Sequence, residues 1–558
     1  MKINYKYTFL VLTALLFAST SCDDFLDINE DPNNPTEASL QLLLPSTQVD
    51  IAGALGSSIG GLSAIPQAYM HQMFQRGTTE GDYGVNGADF EVITPWNILY
   101  TRGLNDIEQI ILQGTENEAW SHVGVAKIMK GYTFGLLVDM YGDVPFSEAF
   151  LGSENPSPSY DDDELVYDAS IALLDEGIAN LAMATPIVLG GEDLFYGGDL
   201  DLWRKFAKSA KLKMLTQLRL VRDVSSEVSA LLTEGDLISN QSEDFEFTYG
   251  TSTGPDNRNP AFTQEWTPGA AQFYINPIFY ETLASLNTFG HNGYSVNAGL
   301  PTDPRIPYYF YNQLAPNEPA ENPCSYCDLD VNGNPNVPEL SGTGFLSIYM
   351  FSFNIDPDEG FDQSASQTIG GLFPFGGAFD TGTGAAISQT SGTAGASTQR
   401  FLTSEMIDYL AAELYLSGEA TGDDAAALES AIRKSFAKVN QVAASVSAPA
   451  IADTDIDDYV TAVMTDYAAV NDDGKLEHIM TQKWIASFGF ACDTYTDYRR
   501  TGFPVLHDGN TDNLSITNQV RDFPYSFPWV SSNLEINANS PSQKSIATDA
   551  ARIFWDPN

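Results

Sequence analysis

Two blocks of helical periodicity, separated by a long turn-rich segment, limit what this chain can fold into. In the first block, residues 36–235, Leu104, Ile107 and Ile111 fall on one helix face. Trp203, Phe206, Ala207, Ala210 and Met214 recur at the same spacing, with lysines between them. Met406, Leu410 and Leu414 repeat the pattern in the second block, 399–500. Thr94-Pro95 reads as a helix start, with a capping hydroxyl and proline at the first helical position. Residues 118–141 read as a further helix, stopped by Gly142. Trp96, Trp203 and Trp484 lie on apolar helix faces and are expected in the core. Neighbouring helices with short polar joints form antiparallel pairs, yet no repeat of about 34 residues recurs cleanly. The expected fold is mainly α: a degenerate tetratricopeptide-like scaffold of helical pairs.

The stretch 240–398 is different. It contains Gly254-Pro255, Asn259-Pro260 and Asn322-Pro323, many aromatics, and the Gly/Ser/Thr tract GGLFPFGGAFDTGTGAAISQTSGTAGAS. Such a segment predicts loops and short strands packed on the helices, where binding function usually resides.

Of 558 residues, 26 are Lys or Arg and 74 are Asp or Glu, a formal net charge of −48. With 43% apolar and 12% aromatic residues the chain is not intrinsically disordered. The carboxylate surplus repels nucleic acid and anionic membrane surfaces, which excludes both as partners. It names no substrate.

The first residues, MKINYKYTFLVLTALLFASTSC, place Lys2 and Lys6 before an apolar run from Phe9 to Ala18. The run is too short to span a bilayer and ends in small residues, so 1–21 reads as an export signal. Ser19, Thr20 and Ser21 before Cys22 suit a bacterial lipobox, with Cys22 lipidated and the mature chain running 22–558. Asp23 and Asp24 then resemble a surface-export signal of Bacteroidetes lipoproteins. A plain secretory peptide with an incidental cysteine is the alternative. No later stretch approaches 18 uninterrupted apolar residues, so the expected membrane attachment is lipid alone.

Three cysteines remain. Cys492 sits in an apolar helix and reads as a small buried residue. Cys324 and Cys327 form a C-x-x-C, compatible with a redox pair, half of a zinc site or a local disulfide; the last is favoured outside the cytoplasm. G-x-S-x-G occurs at Gly56–Gly60 and Gly250–Gly254, but neither has the strand before and helix after that a hydrolase elbow needs. Asp380-Thr381-Gly382-Thr383 resembles an aspartic-protease loop without its second carboxylate and reads as a Gly-rich turn. The five histidines show no zinc-hydrolase spacing.

Residues 328–339, DLDVNGNPNVPE, match a calcium loop. Asp328, Asp330 and Asn332 would supply side-chain oxygens, Asn334 a carbonyl and Glu339 a bidentate carboxylate, with Gly333 at the sharp turn. Pro335 departs from the pattern, and the alternative is a metal-free turn. Structural Ca2+ is the only cofactor expected; no organic cofactor is.

Several strings, in order, resemble the SusD/RagB family of outer-membrane nutrient-binding lipoproteins, in its SusD-like family two branch. They are CDDFLDINEDPNNPT at Cys22, LLVDMYGDVPFSEAF at 136–150, YGGDLDLWRKFAKSAKLKM at 196–214, DPRIPYYF at 303–310, FLTSEMIDYLAAELYLSGEA at 401–420 and QKWIASFGFACDTYTDYRRTGFPVL at 482–506. The resemblance implies a scaffold of four tetratricopeptide-like pairs carrying ligand-binding loops. It implies a SusC-like TonB-dependent transporter as partner, an oligosaccharide or, in some members, a peptide as ligand, and no catalysis. A rival reading is an extracellular glycoside hydrolase with an unrecognised carboxylate pair.

Glycan capture needs flat aromatic faces and hydrogen-bonding side chains. The turn-rich string NRNPAFTQEWTPGAAQFYINP offers Trp266, Phe273 and Tyr274 as platform and Asn257, Arg258 and Asn259 as polar partners; Tyr83 is a further candidate. Arg499 and Arg500 are explained by ion pairing with surplus carboxylates.

Overall fold

The computed structural model describes residues 38–76, 83–286, 299–316, 318, 343–352, 365–512, 517 and 521–557. Cys22, the pair Cys324 and Cys327, and the calcium-loop residues Asp328, Asp330, Asn332, Asn334 and Glu339 lie outside the described residues.

The fold is mainly α. The first block comprises helices Leu40–Leu55, Phe90–Ile98, Leu104–Glu116, Trp120–Tyr141, Asp163–Leu181, Leu200–Leu218 and Ser225–Glu234. The second comprises Ser404–Ser417, Asp424–Ser445, Asp453–Ala469, Asp472–Ala486 and Cys492–Thr501. The helix Trp120–Tyr141 is buried on almost every side and packs along Asp163–Leu181. Glycine permits that closeness: a Cβ on Gly131 would lie 2.6 Å from the Ser170 carbonyl, and one on Gly177 would lie 2.8 Å from that of Gly124. Gly142, at φ 72°, ends the central helix as its sequence predicts. Trp96, Trp203 and Trp484 are buried, as is Cys492, whose thiol pKa burial pushes up. No helix among the described residues is long and apolar enough to cross a membrane.

One expected boundary is wrong. Thr94-Pro95 does not start a helix; the helix begins at Phe90, with Pro95 inside it, and passes through a π-helical turn, Leu99–Gly103, into Leu104–Glu116. Inside the helix, proline removes the donor that would reach the Glu91 carbonyl, a loss the helix tolerates while Trp96 and Val92 are buried.

Scarce cations join the scaffold from within. Lys213 bridges Asp139 (3.4 Å) and Asp493 (3.1 Å), and Lys483 meets Asp497 at 2.7 Å. Arg500 pairs with Glu413 and Asp497, while Arg219 reaches Glu413 at 2.6 Å. Ion pairing therefore explains Arg500. Arg499, whose charge faces Asp139 and Asp556, also donates to the carbonyls of Tyr525 (2.7 Å) and Asp139 (2.6 Å) and stacks over Tyr495 at 3.8 Å.

Among the described residues, three two-stranded antiparallel sheets order the segment 240–398; the first two tie it to the flanking blocks and the third lies within it. Met73–Gln75 pairs with Phe273–Ile275, Phe245–Thr248 with Thr398–Leu402, and Phe310–Tyr311 with Ile369–Gly370. Buried charges reinforce the seam. Arg305 donates to Asp303 (2.6 Å) and to Ser435 Oγ (2.8 Å) with its guanidinium 4.6 Å over Phe436. Lys438 joins Asp244 to Glu405. The loops thus sit on a rigid support.

Candidate ligand-binding face

The turn-rich segment has its own small core, made of Phe262, Trp266, Ala271, Tyr311, Ile369 and Ile387. Trp266 is fully buried; its Nε1 donates to the Gly370 carbonyl (3.0 Å) and its ring lies 5.0 Å from Tyr311. Gly377 presses on the indole so closely that a Cβ there would come within 2.0 Å. Phe273 and Tyr274 are equally buried, on the strand paired with Met73–Gln75, with Tyr274 lying 5.8 Å from Phe74 and beneath the Arg76 guanidinium. The expectation of a sugar platform at Trp266, Phe273 and Tyr274 is therefore corrected: these rings have no face open to solvent. A segment without long apolar runs uses its aromatics as its core.

Glu265 supports the same unit. Its Oε1 accepts from the backbone N–H groups of Gln272 and Phe273, both at 3.0 Å. Burial pushes this carboxyl up to about 8, against the opposing pull of those donors and of Arg76.

The polar candidates divide. Asn259 is buried and caps the helix Pro260–Glu265, its Oδ1 accepting from Ala261 N at 2.8 Å, so it is structural. Asn257 is exposed and closes a loop by accepting from Ser252 N at 2.9 Å. Arg258 grips Asp256 in a two-pronged pair (2.9 and 2.6 Å) and donates to Gln389 Oε1 at 2.9 Å. Gln389 in turn donates to Thr267 Oγ1 at 2.6 Å. Asn257, Asp256, Arg258 and Gln389 form an ordered polar edge on this face.

Tyr83 is also mostly buried, 7% exposed, which removes it as an open platform. Its hydroxyl lies 2.7 Å from His71 Nε2, and its ring meets Tyr69, Phe351 and Phe523 edge-on at 5.8, 5.5 and 5.4 Å. Nearby, Tyr349 Oη and His507 Nε2 are 2.5 Å apart. Burial raises the Tyr83 phenol well above its ordinary value.

The catalytic motifs dissolve into structure. Ser58 is buried in a turn after the helix Leu40–Leu55, and Ser252 lies in a loop before a tight bridge at Thr253–Asp256. Asp380 accepts from Gly382 N (2.7 Å) within its own turn and from Asn312 N (3.1 Å) on a distant segment, both structural hydrogen bonds. Among the described residues, no three His, Cys, Asp or Glu side chains converge as metal ligands.

Sequence reasoning missed Phe90. It is 58% exposed, while every other aromatic among the described residues is buried or half-buried. Its position directly after Asn86-Gly87-Ala88-Asp89, a turn signal, was the available clue.

Known proteins share this architecture. A family model described as "Starch-binding associating with outer membrane" (SusD-like family two) matches residues 32–327, and one described as "Susd and RagB outer membrane lipoprotein" matches 378–556. The chain belongs to the SusD/RagB family of outer-membrane lipoproteins. A SusD homologue from Bacteroides fragilis NCTC 9343 is 16% identical, with a TM-score of 0.64 over 93% of this chain and 99% of that one. A SusD/RagB family protein from Bacteroides thetaiotaomicron VPI-5482 is 19% identical, with a TM-score of 0.63 over 90% and 95%. A chitin-binding SusD homologue from Flavobacterium johnsoniae is 17% identical, with a TM-score of 0.60 over 93% and 99%. At such identity these similarities establish the fold. No curated protein matches the chain in sequence.

Proposed function

We propose that this protein is a non-catalytic, lipid-anchored subunit that captures an oligosaccharide at the cell surface and passes it to a SusC-like TonB-dependent transporter. The observation that carries the reading is family membership over most of the chain, in a fold shared with a chitin-binding homologue. The ordered polar edge at Asn257, Arg258 and Gln389 supports it, because side chains already fixed by hydrogen bonds lose little entropy when they meet sugar hydroxyls. Cys22 is the proposed anchor, and 328–339 the proposed site of a structural calcium.

Calorimetric titration with neutral oligosaccharides, chito-oligosaccharides included, tests ligand capture. Binding without product formation supports the reading; hydrolysis abolished by one Asp or Glu substitution overturns it. Co-purification with the transporter tests the partner, and loss of fatty-acid labelling in Cys22→Ser tests the anchor. A chelator that leaves the melting temperature unchanged removes the calcium.

A further inference from the structure

We propose that the N-terminus of the helix Ser404–Ser417 holds a compact monovalent anion of halide size, buried where the turn-rich segment meets the second helical block.

The helix begins without the acceptors its first turn requires. Thr403 stands at the N-cap position with an extended backbone, φ −128° and ψ 162°, yet its side chain caps nothing. Ser404 N donates to Asp244 Oδ1 at 2.7 Å, and Ile407 N to the Thr403 carbonyl at 3.2 Å. The N–H groups of Glu405 and Met406, between them, meet no acceptor among the described residues, although both residues are buried. A buried helix end is ordinarily satisfied by a cap, by water or by a ligand. The Thr403 hydroxyl is a second, independent sign: the residue is 3% exposed and its Oγ1 has no hydrogen-bond partner among the described residues.

These groups share one cavity. Thr403, Glu405 and Met406 line it together with Arg400, Phe373 and Phe488. Arg400 stacks its guanidinium 4.9 Å over Phe373 and donates through Nη1 to the Thr398 carbonyl at 3.2 Å. Its Nε lies 3.5 Å from Glu246, and its Nη2 makes no hydrogen bond among the described residues. The cavity gives the centre of a water-sized sphere about 30 Å³, enough for one or two such bodies and too little for a sugar.

The chemistry of the lining selects the occupant. Two backbone N–H groups, a hydroxyl and a guanidinium are all donors, and the helix dipole adds partial positive charge at this end. The nearby carboxylates are already matched: Lys438 joins Asp244 to Glu405, and Lys213 meets Asp493, another cavity residue, at 3.1 Å. Arg400 is left with its one longer contact to Glu246. A species that only accepts hydrogen bonds complements this donor set better than water, which must also donate. The same carboxylates exclude a divalent anion, whose second charge they would repel. Bound there, the ion ties the strand Thr398–Leu402 to the helix Ser404–Ser417.

The test is melting of the full mature protein in sodium chloride and sodium bromide against sodium gluconate. Equal sodium concentration holds the screening of so acidic a chain constant. Both halides should raise the melting temperature over gluconate by about 1–2 °C, saturating with concentration. Thr403→Val removes a hydroxyl that bonds to nothing, so it should melt with wild type in gluconate and lose most of the halide shift. Arg400→Gln should lose that shift as well. Crystals grown in bromide should show an anomalous peak among Thr403, Met406 and Arg400. A water at that position without anomalous signal overturns the proposal, as does equal melting in all three salts or a halide shift left intact in both variants.

Discussion

His71 Nε2 lies 2.7 Å from Tyr83 Oη, and both residues hold their backbones in the left-handed region, at φ 57° and 65°. For residues with a Cβ such a conformation costs on the order of 1–3 kcal/mol and persists only where the surroundings impose it. Here the surroundings are aromatic: Tyr69, Phe351 and Phe523 enclose Tyr83, and Phe351 lies 5.7 Å from His71.

Removing the Tyr83 hydroxyl should therefore cost stability. Tyr83→Phe keeps the packing but leaves His71 without that hydrogen bond. We expect a loss of about 1–2 kcal/mol in urea unfolding, with ligand affinity changed little because the ring is buried.

Trp266→Ala should act on folding rather than on binding alone. The indole fills the centre of the turn-rich segment's own core, against Gly377 and Tyr311. Its removal should cost about 3–5 kcal/mol, read as a lowered denaturation midpoint.

Glu265 makes stability fall as pH rises. Its folded pKa, about 8, stands above the ordinary 4.5, so the folded state holds a proton that the unfolded state releases. That contribution is complete below the unfolded value and is lost progressively as pH climbs to about 8. Glu265→Gln keeps an acceptor for Gln272 and Phe273 without the charge. It should match wild type near pH 4.5 and exceed it by up to about 5 kcal/mol at pH 8.5, in paired melts. Parallel curves across that range would refute the assignment.

Lys438→Met should be among the most damaging changes in the scaffold. It leaves Asp244 and Glu405 buried around an absent cation. Asp244 is already pushed up to about 6 by burial, even with Lys438 opposing the shift. A loss of about 3–5 kcal/mol is expected. Adding Asp244→Asn and Glu405→Gln should recover much of it, because neutral amides need no counter-charge.

The helices were legible because helix formation and amphipathic spacing are local: Trp203, Phe206, Ala210 and Met214 fall on one buried stripe whatever the rest of the chain does. Thr94-Pro95 misled because its cap chemistry fits a helix start, whereas Phe90–Ile98 runs through it. The buried cations were not legible. The sequence shows Lys438 as an isolated charge, and only packing brings Asp244 and Glu405 to it; Arg305 has Asp303 two residues away, but Ser435 reaches it only through packing.

The sequence by itself determined the scaffold, the turn-rich insertion and the scarcity of cations, since periodicity, breaker residues and composition are properties of nearby residues. Helical spacing placed Trp96, Trp203 and Trp484 in the core, but outside the regular helix faces tertiary structure alone decided which aromatic rings meet water. Trp266 and Phe90 are both large rings near turn signals, but Gly377, far along the chain, covers one, while Gly60 braces the other and leaves it open. Burial is settled by partners distant in sequence, and no local pattern encodes their arrival.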